Sequence, residues 1–170
     1  MKALTVDFEL IKHSMKDLCR ETSDYYLDRN TGKVFALSRN LIRSLVEDAR
    51  EQTELPQWDA PLIPLAREII LMGSSSYVRV PEAFGCPEHR WMADFSRNLR
   101  NFKLRDKLLS TLRGRGACRR FKEILKAYPL EARDWAFYSA LKWEGLIQKW
   151  LEHLSILAIN QNPKKMRQAA

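Results

Sequence analysis

Apolar residues recur at helical spacing from Val6 to Cys19, with Phe8, Ile11, Met15, Leu18 and Cys19 on one face, which predicts a first helix ahead of the acidic turn at Asp24. The pattern then changes. Aromatic and branched residues between Tyr25 and Leu37 flank an Asp28-Arg-Asn-Thr-Gly32 turn, and this reads as a β-hairpin. Asn40 can cap a following helix with Ile42, Leu45, Val46 and Ala49 on its core face. Thr53 to Pro61 carries two prolines and no sustained period, so it is a connector. Leu62 to Met72 is a short apolar helix stopped by Gly73. Tyr77 to Val80 alternates like a strand and could give the hairpin a third partner, since a lone two-stranded hairpin is marginal in water.

Beyond Pro87 the pattern is helical almost to Asn160. Trp91, Met92, Phe95 and Leu99 line one face; Leu104, Leu108 and Leu112 line the next helix; Ala117, Phe121, Ile124, Leu125 and Tyr128 line a third. Pro129 ends that helix. A last one carries Trp135, Tyr138, Leu146, Ile147, Trp150, Leu151 and Leu154, with Gly145 as its point of weakness. The expected fold class is α+β and mostly helical, a small antiparallel sheet packed with a C-terminal helical half. Residues 1–159 are expected to form a single globular domain, and 160–170 a disordered basic tail.

With 170 residues and 45% hydrophobic content, such a domain buries roughly 70% of the surface its unfolded chain exposes, without disulfides or metal. The three cysteines, Cys19, Cys86 and Cys118, are widely spaced and odd in number, which fits reduced thiols in a cytoplasmic protein. No secretory pattern opens the chain, and no run reaches the ~20 apolar residues of a membrane span.

Charge sharpens the picture. Residues 1–86 hold eleven cations against thirteen acids, residues 87–126 twelve against four, and residues 127–170 six against four. The net excess of +8 therefore equals that of one forty-residue block. Its centre is Leu112-Arg-Gly-Arg-Gly-Ala-Cys-Arg-Arg-Phe-Lys-Glu-Ile-Leu125, where two helical patterns meet through glycines. On a helix of 100° per residue, Arg115, Arg119, Lys122 and Lys126 share a sector of about 60°, a stripe that starts at a helix N-terminus. With Arg113 and Arg120 these are the expected polyanion-binding residues, and Arg97, Arg100, Lys103 and Lys107 could extend the surface. Phe121 and Tyr128 fall on the opposite, core face, so base stacking by them is not expected.

Other chemistry is thinner. Gly114 and Gly116 follow a helix rather than a strand, and no Gly-Lys-Ser/Thr follows them, so nucleotide-fold readings fail. Cys86 and His89 stand at N-cap and N3 spacing around Pro87 and could meet, but no third group orients the imidazole. The cysteines and histidines lack the paired spacing of a zinc site. The Asp28-x-Asn30-x-Gly32 turn places its glycine one position early for a calcium loop. No cofactor is expected.

Three ordered blocks, Tyr25-Tyr-Leu-Asp28 with Thr31-Gly32-Lys-Val34, Pro87-Glu-His-Arg-Trp-Met-Ala-Asp-Phe95, and Arg113-Gly-Arg-Gly-Ala-Cys-Arg-Arg-Phe-Lys122, resemble a bacterial family of uncharacterised proteins over roughly residues 25 to 154. The resemblance implies a cytoplasmic bacterial protein and supplies no activity or catalytic residues. The leading expectation is a non-enzymatic module that contacts nucleic acid or another polyanion through the basic stripe. The alternative is a protein-interaction or regulatory module in which the same cations meet an acidic partner.

Overall fold

A computed structural model describes residues 2–17, 22–46, 59–83 and 87–161. The fold is α+β and mostly helical, with a three-stranded antiparallel sheet and a separate parallel pair of strands. The chain divides into two units, Met1–Glu82 with Leu151–Gln161, and one built on Ala83–Trp150.

The first unit opens on strand β1 (Lys2–Val6), which sequence periodicity does not reveal. Leu4 and Val6 point inward and their neighbours outward, the alternation of a half-buried strand. Helix α1 (Phe8–Lys16) follows at once. The Asp7 carboxylate caps it by accepting from the backbone N–H groups of Glu9 and Leu10, and Phe8, Ile11 and Met15 are buried along one face.

Strands β2 (Ser23–Asp28) and β3 (Val34–Ser38) form the expected hairpin, with Tyr25 opposite Ala36 and Tyr26 opposite Phe35. The Asp28 carboxylate holds the turn, accepting from the Asn30 N–H and the Thr31 hydroxyl, each at 2.7 Å. Helix α2 (Arg39–Val46) is capped by the Ser38 hydroxyl, which accepts from the Leu41 N–H at 3.1 Å; Asn40 lies inside the helix. Of the expected core face, Ile42 and Leu45 pack half-buried against the core, whereas Val46 is exposed and Leu41 is the fully buried residue. Ala49 lies outside the described residues.

A 3₁₀ turn (Ala60–Leu62) leads into α3 (Ile63–Ile70), and Leu37, Leu41, Ala66 and Ile69 form the core between β3, α2 and α3. Strand β4 (Tyr77–Arg79) pairs antiparallel with β2, supplying the third strand.

The second unit holds α4 (Pro87–Arg97), α5 (Phe102–Thr111), α6 (Ala117–Leu125) and most of α7 (Pro129–His153). Asn101 caps α5 through the Leu104 N–H. Met92, Phe95, Leu104, Leu108, Leu112, Phe121, Leu125 and Trp135 make one core. Trp135 is its aromatic centre, edge-on to Phe121 at 5.0 Å and to Phe95 at 5.4 Å. Helix α7 continues through Gly145 without a break.

After α7, back in the first unit, Ile156–Asn160 forms β5, parallel to β1 with Leu4 opposite Ala158. Asn160 is thus the last residue of a strand, where sequence places the start of the tail, and the Gln161 N–H still donates to the Val6 carbonyl. The rest of the tail lies outside the described residues.

Candidate polyanion-binding surface

Helix α5 ends at Thr111, and the chain reaches α6 through Leu112–Gly116. Gly114 (φ +78°) and Gly116 (φ +76°) take the left-handed backbone that this tight reversal needs, Gly116 standing at the N-cap of α6. The last carbonyls of a helix have no intrahelical partner. Here the Arg120 guanidinium supplies one. It donates to the carbonyls of Thr111 (2.9 Å), Arg113 (2.6 Å) and Arg115, gathering the end of α5 and the whole connection onto the first turn of α6. Side chains on a helix lean toward its N-terminus, so Arg120 reaches the loop that precedes it.

The other predicted cations lie in this connection or along α6. Arg113, Arg115, Arg119, Lys122 and Lys126 are all exposed. Arg115 precedes the N-cap and belongs to the loop, so the helical stripe proper is Arg119 and Lys122, with Lys126 at the C-cap still in helical conformation. These three span about 60° around the helix, away from the buried Phe121 and Leu125.

Lys126 donates to the Glu123 carboxylate at 2.8 Å. That bond, the Lys126 charge and the nearby Arg119 hold the Glu123 carboxyl below its ordinary range. Among the described residues Arg113, Arg115 and Lys122 form no ion pair. Of the proposed extension, Arg97 is tied to Asp94 at 3.0 Å, whereas Arg100, Lys103 and Lys107 are exposed. Phe102, two-thirds exposed at the start of α5, carries the Arg105 guanidinium 4.8 Å above its ring.

His89 joins the same junction from α4. Its Nε2 lies 2.7 Å from the Leu112 carbonyl, a bond that requires the proton on that nitrogen. Cys86 lies outside the described residues. One residue earlier on α4, the buried Glu88 carboxylate accepts from the Trp143 indole N–H at 2.9 Å, a pairing that sequence reading does not find because neither residue is distinctive alone. No cluster of three metal-ligating side chains occurs among the described residues, and none of their helices is long and apolar enough to cross a membrane.

The Arg113–Lys122 segment that builds this junction and the Tyr25–Val34 hairpin are two of the blocks that carry the family resemblance, and a family model matches residues 1–168. The chain belongs to the uncharacterised protein family UPF0158. The match to UPF0158 extends beyond those blocks to include β1 and β5. No curated protein and no solved structure matches the chain.

Proposed function

We propose that the protein is a non-enzymatic module whose α5–α6 junction and α6 stripe contact the phosphate backbone of a nucleic acid without reading its sequence. The observation that carries this reading is the grouping of Arg113, Arg115, Arg119 and Lys122, all exposed, around a connection whose backbone Arg120 fastens. Like charges so grouped repel each other, and a polyanion relieves that cost while releasing its own counterions. The fastened loop lowers the ordering cost of binding. Contacts of this kind position a duplex or a single strand but do not specify bases.

The test is a binding titration of unrelated DNA and RNA oligonucleotides at several salt concentrations. Affinity should fall steeply with salt and vary little with sequence. Replacing Arg115, Arg119, Lys122 and Lys126 with Gln should flatten the logarithmic salt dependence on duplex DNA by up to ~0.9 for each phosphate that the variant no longer neutralises. A wild-type protein that binds neither nucleic acid at low salt overturns the reading in favour of an acidic protein partner.

A further inference from the structure

At the turn end of the three-stranded sheet, within the first unit, lies a cavity of about 410 Å³. Four separate segments wall it: Lys2 at the start of β1, Arg29 and Asn30 from the β2–β3 turn, Ser75 and Ser76 ahead of β4, and Ser155 between α7 and β5. Among these residues two are cations, three carry hydroxyls and none is an acid.

Both cations are held by neutral groups. The Arg29 guanidinium donates to the Ser75 carbonyl at 3.4 Å and to the Leu154 carbonyl at 3.3 Å, and the Lys2 ammonium donates to the Asn30 carbonyl at 3.0 Å. Carbonyls fix the two side chains without neutralising them. Closing the last turn of α7 accounts for the bond from Arg29 to Leu154. It does not account for Lys2 on the same cavity, nor for two cations lining it with no carboxylate among the described lining residues. Both retain N–H donors beyond those already used, because a guanidinium has five and an ammonium three.

Ser155 adds a second indication. Its φ of +60° is left-handed, and it is the one such non-glycine among the described residues. Glycine would end α7 with less strain, yet a serine stands at this lining position.

We propose that this cavity binds a small phosphate monoester. Lys2 and Arg29 face the phosphate oxygens, and the hydroxyls of Ser75, Ser76 and Ser155 are the neutral donors beside them. The volume falls in the range of small-molecule sites, ~300–1,000 Å³, which leaves room for an organic group on the phosphate. This site is independent of the α6 surface and does not rest on it.

The experiment is a titration of the full chain with glycerol phosphate, inorganic phosphate and glycerol, followed by calorimetry and by amide resonances. Glycerol phosphate should bind and move the Ser75, Ser76 and Ser155 amides; inorganic phosphate should bind more weakly and glycerol not at all. Lys2 is exposed, so Lys2→Gln should weaken binding roughly tenfold while leaving the unliganded unfolding midpoint in place. Arg29→Gln should weaken it at least as much. The quadruple Gln variant of the α6 surface should bind glycerol phosphate like the wild type. Absence of binding up to about 10 mM, resonance changes confined to residues 111–126, or unchanged affinity in Lys2→Gln overturns the site. Inorganic phosphate binding as tightly as the ester overturns the organic part of the ligand.

Discussion

The guanidinium of Arg120 lies 2.9 Å from the carbonyl oxygen of Thr111, nine residues earlier, and so closes a helix that its own residues leave open. A residue that sequence counts among the outward cations thus spends at least three of its donors on backbone. Arg120→Ala should lower stability by about 1–2 kcal/mol, the scale of charge-assisted bonds discounted for an exposed side chain. Arg120→Lys, which keeps the charge but not the planar fork, should recover only part of this. Urea unfolding decides the matter, and an Arg120→Ala midpoint equal to wild type would mean that the junction holds without it.

The Glu88 and Trp143 pair makes a sharper demand, because its carboxylate is buried. Trp143→Phe keeps most of the apolar ring and deletes the indole donor, and should cost about 1–3 kcal/mol. Glu88→Gln still offers a carbonyl oxygen to the indole and should cost less. Urea unfolding compares the two variants, and a Glu88→Gln loss as large as that of Trp143→Phe would point to the carboxylate charge, which Gln lacks, as the source.

At Gly32 a Cβ would stand 2.5 Å from the Thr5 carbonyl oxygen, in a backbone of φ +77°. The β2–β3 turn therefore presses on β1 at a place where only hydrogen fits. Gly73 has φ +57° and open space around it, so Gly73→Ala isolates the left-handed cost, ~1–2 kcal/mol. Gly32→Ala should exceed it by at least about 1 kcal/mol, because backbone must move. Thermal unfolding of the two variants side by side gives the difference, and a difference of zero removes the close approach.

These contacts show where sequence is informative and where it stops. Leu104, Leu108 and Leu112 are buried as their four-residue spacing requires, and the Tyr25–Leu37 hairpin forms around the turn that Gly32 marks. A strand's partner, by contrast, is not encoded in its own periodicity. Lys2–Val6 and Ile156–Asn160 stand at opposite ends of the chain and become strands by pairing with each other. Val46 is apolar at helical spacing yet exposed, because the packing of α3 against α2 selects Leu41 instead. The basic surface is visible as charge and spacing. The distinction between Arg120 and its neighbours is not, since it depends on where the carbonyls of a turn point.

Glu123 is the acid set among the α6 cations, and its carboxyl is held below its usual range first by the hydrogen bond from Lys126 and then by the Lys126 and Arg119 charges. A depressed carboxyl stays ionised until the pH falls below the ordinary glutamate value of ~4.3, so at neutral pH it always offsets part of the stripe. If that stripe meets phosphates, Glu123→Gln removes a repulsive charge and releases Lys126, and affinity for a nucleic acid should rise about two- to fivefold at low salt, with the gain fading as salt screens it. The ratio of variant to wild-type affinity should stay flat from about pH 5 to about pH 8. It should approach one only in acid, where the wild-type carboxyl takes up its proton as the pH passes down through the depressed value. Oligonucleotide titrations of both proteins across pH measure that ratio directly. A ratio of one at neutral pH and low salt would place the bound strand away from α6, even if the protein binds nucleic acid.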